Sequence, residues 1–227
     1  MKFGLMFVAA MFLVGGTLFF VGPAGATTFS YLFGSCGEIV APPGFSALCT
    51  AASGNIDAGA TLTYQSGGVN VDAAGFDTSS AIHDLHVKNM GGGETGLGLK
   101  GTVNNEIDPT NFVQLDLANL IAAGAAEVSI GSLQSGETGT VCIGSTSGVF
   151  GSLDCGSVTG GITGNVTVTG LSSTDHFVDL TAASGDVLLD DMSATINTST
   201  VPEPSAMVLF GTGLMGLALS RRRMGAS

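Results

Sequence analysis

The stretch Ile162-Thr163-Gly164-Asn165-Val166-Thr167-Val168-Thr169 decides the fold class. Polar and apolar side chains alternate along it, and β-branched residues fill most positions. A period of two puts one set of side chains on each face of an extended chain, so the stretch reads as a half-buried β-strand. Working outward, the same alternation recurs downstream in Phe177-Val178-Asp179-Leu180-Thr181, Val187-Leu188-Leu189 and Ala194-Thr195-Ile196. Upstream it recurs in Val141-Cys142-Ile143, Val128-Ser129-Ile130, Phe112-Val113-Gln114-Leu115-Asp116-Leu117, Leu85-His86-Val87-Lys88 and Thr61-Leu62-Thr63-Tyr64. Glycine-bearing gaps separate these runs, and no long helical pattern lies between them. Short strands at this spacing predict an all-β body, a β-sandwich or jelly roll. One exception is Asp116 to Ala126, where Leu117, Leu120 and Ile121 share a helical face and predict a single turn or short helix.

Both ends differ from this body. Residues 1–26 open with Lys2, continue through the apolar run Phe3 to Val21 and close on Ala24-Gly25-Ala26. A positive start, an apolar middle and a small-x-small ending are what signal peptidase reads, so cleavage is expected after Ala26, with Ala24 and Ala26 as the small recognition residues. At the other end, Val201-Pro202-Glu203-Pro204 precedes an apolar run to Leu219 and then Arg221-Arg222-Arg223. The prolines remove two backbone donors and keep the motif extended and accessible. The arginines hold their side of a membrane segment in the cytoplasm. Residues 205–219 span about 22 Å as a helix, short of the roughly 30 Å hydrocarbon core. Gly211, Gly213 and Gly216 weaken that helix further. A short membrane helix of this kind suits a temporary anchor. The expected organisation is therefore a signal peptide (1–26), a β-sandwich body (27–192), a Ser/Thr-rich linker (193–200), a sorting tail (201–224) and three final residues (225–227).

The order of motif, apolar run and basic cluster resembles the PEP-CTERM sorting signal, over Val201 to Arg223. Family members look like substrates of a membrane-embedded exosortase, in bacteria that make exopolysaccharide. The resemblance implies export across the inner membrane, transient anchoring by the C-terminal helix, exosortase processing, and a final place at the cell surface or in the extracellular matrix. The segment from Gly96 to Asp108, with the Val113–Leu117 and Gly185–Leu189 runs, is similar to bodies of a PEP-CTERM subgroup and carries no assigned chemistry.

Charge excludes some functions. The chain has 6 basic and 18 acidic residues. Lys2 lies in the signal peptide and the three arginines in the tail, so only Lys88 and Lys100 serve the body, which holds every acidic residue except Glu203. Nucleic-acid binding needs clustered cations to replace phosphate counterions, and the body has none. Four cysteines fall in the exported body, and Cys36/Cys49 and Cys142/Cys155 each enclose twelve residues. In an oxidising compartment this reads as disulfides, and short local loops favour those two pairs among the three connectivities. Zinc would call for more closely spaced cysteines.

Catalytic constellations are scarce. Gly144-Ser145-Thr146-Ser147-Gly148 has threonine where a nucleophile-elbow serine would sit. No phosphate-cradling loop with its lysine occurs. His83 and His86, three apart, fall on opposite faces of a strand. A non-enzymatic role is expected. The specific ligand chemistry best supported is calcium at Glu106 and Asp108, since two carboxylates two residues apart share one side of a strand and hard oxygen ligands suit calcium. The leading expectation is a structural or interaction protein of the exopolysaccharide matrix, of the kind found in biofilm or floc. Its processing partners would be signal peptidase and exosortase, and its other partner exopolysaccharide. The alternatives are a carbohydrate-binding module, for which aromatic platforms are few, and a secreted hydrolase.

Overall fold

A computed structural model describes residues 25–34, 38–40, 56–89 and 94–197. It contains fourteen strands: β1 (Ala26–Leu32), β2 (Ile56–Gly59), β3 (Thr61–Ser66), β4 (Val69–Asp77), β5 (Ile82–His83), β6 (Leu85–Asn89), β7 (Thr95–Leu99), β8 (Asn111–Asp116), β9 (Ala125–Gly131), β10 (Thr138–Gly144), β11 (Leu153–Thr159), β12 (Thr163–Thr169), β13 (Phe177–Ser184) and β14 (Leu188–Asn197). Two 3-10 helices among the described residues are Val103–Asn105 and Ala118–Ala123. The second is the short helix expected between Asp116 and Ala126.

The strands form two antiparallel sheets of seven. Sheet A runs β12-β9-β14-β7-β6-β2, with β1 also paired to β14. Sheet B runs β11-β10-β13-β8-β4-β3, with β5 also paired to β4. Alternation explains why they face one another. In β12, Val166 and Val168 are buried while Thr163, Asn165, Thr167 and Thr169 are exposed. The inward residues of both sheets, among them Tyr31, Tyr64, Val71, Leu97, Leu115, Val128, Ile130, Val141, Leu180 and Met192, join in one apolar core. Burying such side chains, each contributing about 1.5–3 kcal/mol, is the main force closing the sandwich. Tyr64 is fully buried and its hydroxyl donates to the Phe33 carbonyl at 3.1 Å, so its polar end is satisfied.

Three boundaries differ from those read off the sequence. Leu188, Leu189 and residues 194–196, from two runs expected as separate strands, belong to the single ten-residue strand β14, while Val187 forms an isolated bridge to Ile107. The expected linker therefore loses its first half. Residues 193–197 pair with β1 (Ser193↔Ser30 through Asn197↔Ala26), because Ser and Thr side chains can stand on the outer face of a sheet. The rest of the linker, 198–200, lies outside the described residues. The body also starts one residue earlier than expected, since Ala26 opens β1. Strands β1, β2, β4, β5, β7 and β11 carried too little alternation, or too much Gly and Ala, to be marked in the sequence. Among the described residues no helix is long and apolar enough to cross a membrane. The apolar segments of the signal peptide and the sorting tail are outside them.

Candidate functional site

On the outer face of sheet A, the body's two lysines are both held by carboxylates. Leu85 and Val87 of β6 point into the core, so His86 and Lys88 point outward. Their cross-strand neighbours on β7 are Gly98 and Gly96. Without side chains there, the segment 101–108 lies flat on the sheet, and a Cβ on Gly98 would collide with the Asn105 carbonyl oxygen. Local bonds fix the segment. Thr102 Oγ1 donates to the Leu99 carbonyl at 2.7 Å, and Gly101 N–H donates to Asn105 Oδ1 at 2.9 Å. Ile107 and Val187 exchange two main-chain bonds at 2.8 and 2.9 Å.

This brings Glu106 onto Lys88. Both are buried, with 2% and 5% of their surface exposed, and Lys88 Nζ donates to Glu106 Oε1 and, at 2.5 Å, to Glu94 Oε2. Burial pulls the Lys88 ammonium down, but Glu106 and Glu94 together outweigh it and hold its pKa above the usual value. Burial raises the Glu106 carboxyl, with Lys88 offsetting part of that rise. Nearby, Asp57 accepts from Lys100 Nζ at 2.8 Å and from His86 Nδ1 at 2.9 Å. The Lys100 bond, then the His86 bond, keep the Asp57 carboxyl below its ordinary range.

Glu106 and Asp108, the calcium pair read from the sequence, are each engaged by other groups of the chain. Residues 103–105 form a 3-10 turn, after which Glu106 is extended and Ile107 bridges Val187. Glu106 is turned under the segment to Lys88. Asp108 Oδ1 accepts from Thr110 N–H at 2.7 Å and Thr110 Oγ1 at 2.6 Å, a local turn bond that competes with any ligand. Among the described residues no three His, Cys, Asp or Glu side chains converge as a metal site would require. His83 and His86 are likewise separated. His83 lies on β5 of sheet B, 3.6 Å from Asp77, while His86 lies buried on β6 of sheet A.

The outer face of sheet B holds a second polar cluster. Asp179 of β13 stands between Cys142 of β10 and Gln114 of β8. The loop 145–152 folds over this row. Gly148 N–H donates to Gln114 Oε1 at 2.9 Å, Gln114 Nε2 donates to the Thr146 carbonyl at 3.3 Å, and Gly151 N–H donates to Asp179 Oδ2 at 2.6 Å. Asp179 is fully buried and its Oδ1 has no partner. Burial pushes its carboxyl up to about 7, with Gln114 and Gly151 only partly opposing. Cys142 and Cys155 are bonded across β10 and β11 at the base of the loop, as the spacing indicated. Cys36 and Cys49 lie outside the described residues. The loop borders a cleft of about 110 Å³ lined by Ile143, Ser145, Thr146, Val149, Phe150 and Ser152. Sequence reading missed Asp179, because a lone acid in a strand looks solvent-exposed until a loop covers it. The Gly96/Gly98 pair opposite Lys88 was a usable sign of close backbone approach.

The sorting residues Val201, Pro202, Glu203, Pro204, Arg221, Arg222 and Arg223, and the signal residue Ala24, lie outside the described residues. Residues 200–223 match the model of the PEP-CTERM protein-sorting motif. That motif defines a class of exported proteins addressed to an exosortase by a membrane-anchored tail. This chain carries the PEP-CTERM sorting motif and is an exosortase-targeted protein. No curated protein and no solved structure matches it.

Proposed function

We propose that the chain is a non-catalytic structural or interaction protein, released from its tail by exosortase and retained at the cell surface or in the exopolysaccharide matrix. The match at residues 200–223 carries this reading, because it supplies an address and a processing enzyme. The chemistry of the body supports it. Both lysines are held in ion pairs, Asp179 is sealed from solvent, and the outward residues of β12 and β14 are mostly Ser, Thr and Asn. Hydroxyl and amide groups on flat sheets suit hydrated polysaccharide better than a reaction centre does. After signal peptidase cuts at Ala26, the tail holds the body at the outer side of the inner membrane until exosortase acts.

Deletion in the native host tests the role. Loss of cohesion or of matrix-bound polysaccharide is expected, restored by the full chain and not by one with Pro202, Glu203 and Pro204 changed to alanine. A deletion strain with unchanged matrix and aggregation would remove the matrix reading. Processing of the alanine variant like the parent would remove the exosortase step.

A further inference from the structure

An exposed sheet edge presents unpaired main-chain N–H and C=O groups, and folded proteins cover or disrupt such edges. Most of the edges described in this body carry such a device. Strand β2 has four residues and a register shift between Asp57 and Gly59. In β1 the Ser30 N–H is taken by Ser66 Oγ at 3.3 Å and the Leu32 N–H by Glu38 Oε2 at 2.6 Å. Strand β3 is covered by residues 38–40, through the Val40 N–H to Thr63 carbonyl bond at 2.8 Å and the Ile39↔Tyr64 bridge. Strand β5 has two residues. Strand β11 faces a register shift in β10, carries Asp154 at φ 39° and is bonded to β10 by the disulfide.

Strand β12 differs. Its seven residues, Thr-Gly-Asn-Val-Thr-Val-Thr, include no charge and no proline, and they pair with β9 in unbroken register from Thr163↔Gly131 to Thr169↔Ala125. Two bonds fix which side each main-chain group faces. Gly170 N–H donates to the Gly124 carbonyl at 2.8 Å, on the β9 side, whereas Thr169 N–H donates to Asp154 Oδ2, on the other. Strand alternation then turns the N–H and C=O of Thr163, Asn165 and Thr167 away from β9. The strand begins beside Ile162, the most exposed large apolar side chain among those described, at 68%.

We propose that this edge is a self-association site, at which β12 pairs antiparallel with β12 of a second copy about a twofold axis at Asn165. That axis sets Asn165 against its own copy and Thr163 against Thr167 of the other chain. All three residues of each chain then face the partner with free main-chain groups, as a twofold interface requires. Across the join, threonine would meet threonine on the outer face. The body already uses such pairs between neighbouring strands, Thr28 with Thr195 at 2.9 Å and Thr138 with Thr159 at 2.8 Å. The self-complementary register favours a second copy here. The formal net charge of −12 opposes association in general, but Thr163 to Thr167 carry no charge themselves, and the Asp154 carboxylate on Thr169 marks the end of the free edge. The inference goes beyond the matrix role and holds wherever the exported protein resides.

The test is sedimentation of the full chain in mild detergent over a hundredfold concentration range, beside the variants Thr167→Pro and Thr167→Lys. The Thr167 N–H faces away from β9, so proline removes a donor from the free edge without breaking a bond to β9. Lysine adds a charge there while keeping the donor. Expected results are a concentration-dependent dimer for the parent, tightened by raising NaCl from about 50 to 500 mM as like charges are screened. Each variant that keeps the parent's melting temperature should dimerise at least tenfold more weakly. A parent that is monomeric throughout overturns the proposal. So does undiminished dimerisation of a folded variant, which would place the contact elsewhere, for instance in the apolar tail. Should proline lower the melting temperature, the lysine variant decides.

Discussion

Asp179→Asn should change how stability depends on pH. In the folded protein the Asp179 carboxyl is pushed up to about 7 from the ordinary 3.8, chiefly by burial, while Gln114 and the Gly151 N–H hold it down only in part. Between those values the folded state keeps a proton that the unfolded chain has released. The stabilisation is therefore full below about pH 4 and is lost as pH rises through 7. The difference between about 7 and 3.8, at 1.36 kcal/mol per pH unit, amounts to about 4 kcal/mol by pH 8. Asparagine is nearly isosteric, keeps an acceptor for the Gly151 N–H and never ionises. The variant should match the parent within about 1 kcal/mol at pH 4 and exceed it by about 2–4 kcal/mol at pH 8. Urea midpoints of the disulfide-intact protein, taken at half-unit steps from pH 4 to 8.5, measure this. Comparing variant with parent cancels the other carboxylates, including Asp57 and Asp77, whose lowered pKa values give the opposite slope. Parallel curves for the two proteins would refute the idea that a proton is stored beneath the 145–152 loop.

Three further outcomes follow from the geometry. Lys88→Met leaves Glu106 buried without its cation and should cost about 3–5 kcal/mol, whereas Lys88→Met with Glu106→Leu should recover most of it, which a double-mutant cycle by thermal melting will show. Gly98→Ala drives a methyl into the Asn105 carbonyl and should lift the 101–108 segment, costing about 1–3 kcal/mol and increasing hydrogen exchange at Ile107 and Val187. Replacing Cys142 and Cys155 with serine removes a closed loop and should cost about 3 kcal/mol, read as a lower urea midpoint that reducing agent no longer shifts through this pair.

The legibility of the sequence divides along physical lines. Strands with one face in the core and one in water, such as β12 and β13, announce themselves through alternation, and the equal cysteine spacing led to the Cys142–Cys155 bond. Strand β7, Thr-Gly-Leu-Gly-Leu, shows how the rest escaped. Its alternate positions are glycines because Gly98 lies under the 101–108 segment and Gly96, at φ 152°, lies hard against Leu188 and Leu189 of β14, so the outer face has no polar residues to reveal a period. The same covering misled the reading of Glu106. Two acids at spacing two look like a ligand pair when nothing else engages them, and here Glu106 is buried against Lys88 while Thr110 bonds Asp108. Asp179 and Gln114 sit in ordinary alternating strands, and what makes them unusual is a loop that starts three residues beyond Cys142. Tertiary covering of a sheet's outer face leaves little local pattern.

The register of β1 on β14 bears on why two processing events can leave a stable body. Ala26, where signal cleavage is expected, pairs with Asn197, three residues before the matched sorting motif begins. Seven consecutive residue pairs follow, from Ala26↔Asn197 to Leu32↔Asp191, while Tyr31 is buried in the core and its hydroxyl donates to the Val69 carbonyl at 3.2 Å. Chain ends usually fray because nothing holds them. Here each processed end is the strand partner of the other, and β14 is also paired with β9 and β7. Cleavage after Ala26 would take only the first pair and leave the six from Thr27↔Ile196 to Leu32↔Asp191. The ladder also joins the first strand to the last, so it can close only when nearly the whole body has been exported, which puts long-range pairing late in folding. The two ends of the described body are thereby tied to one another along one ladder.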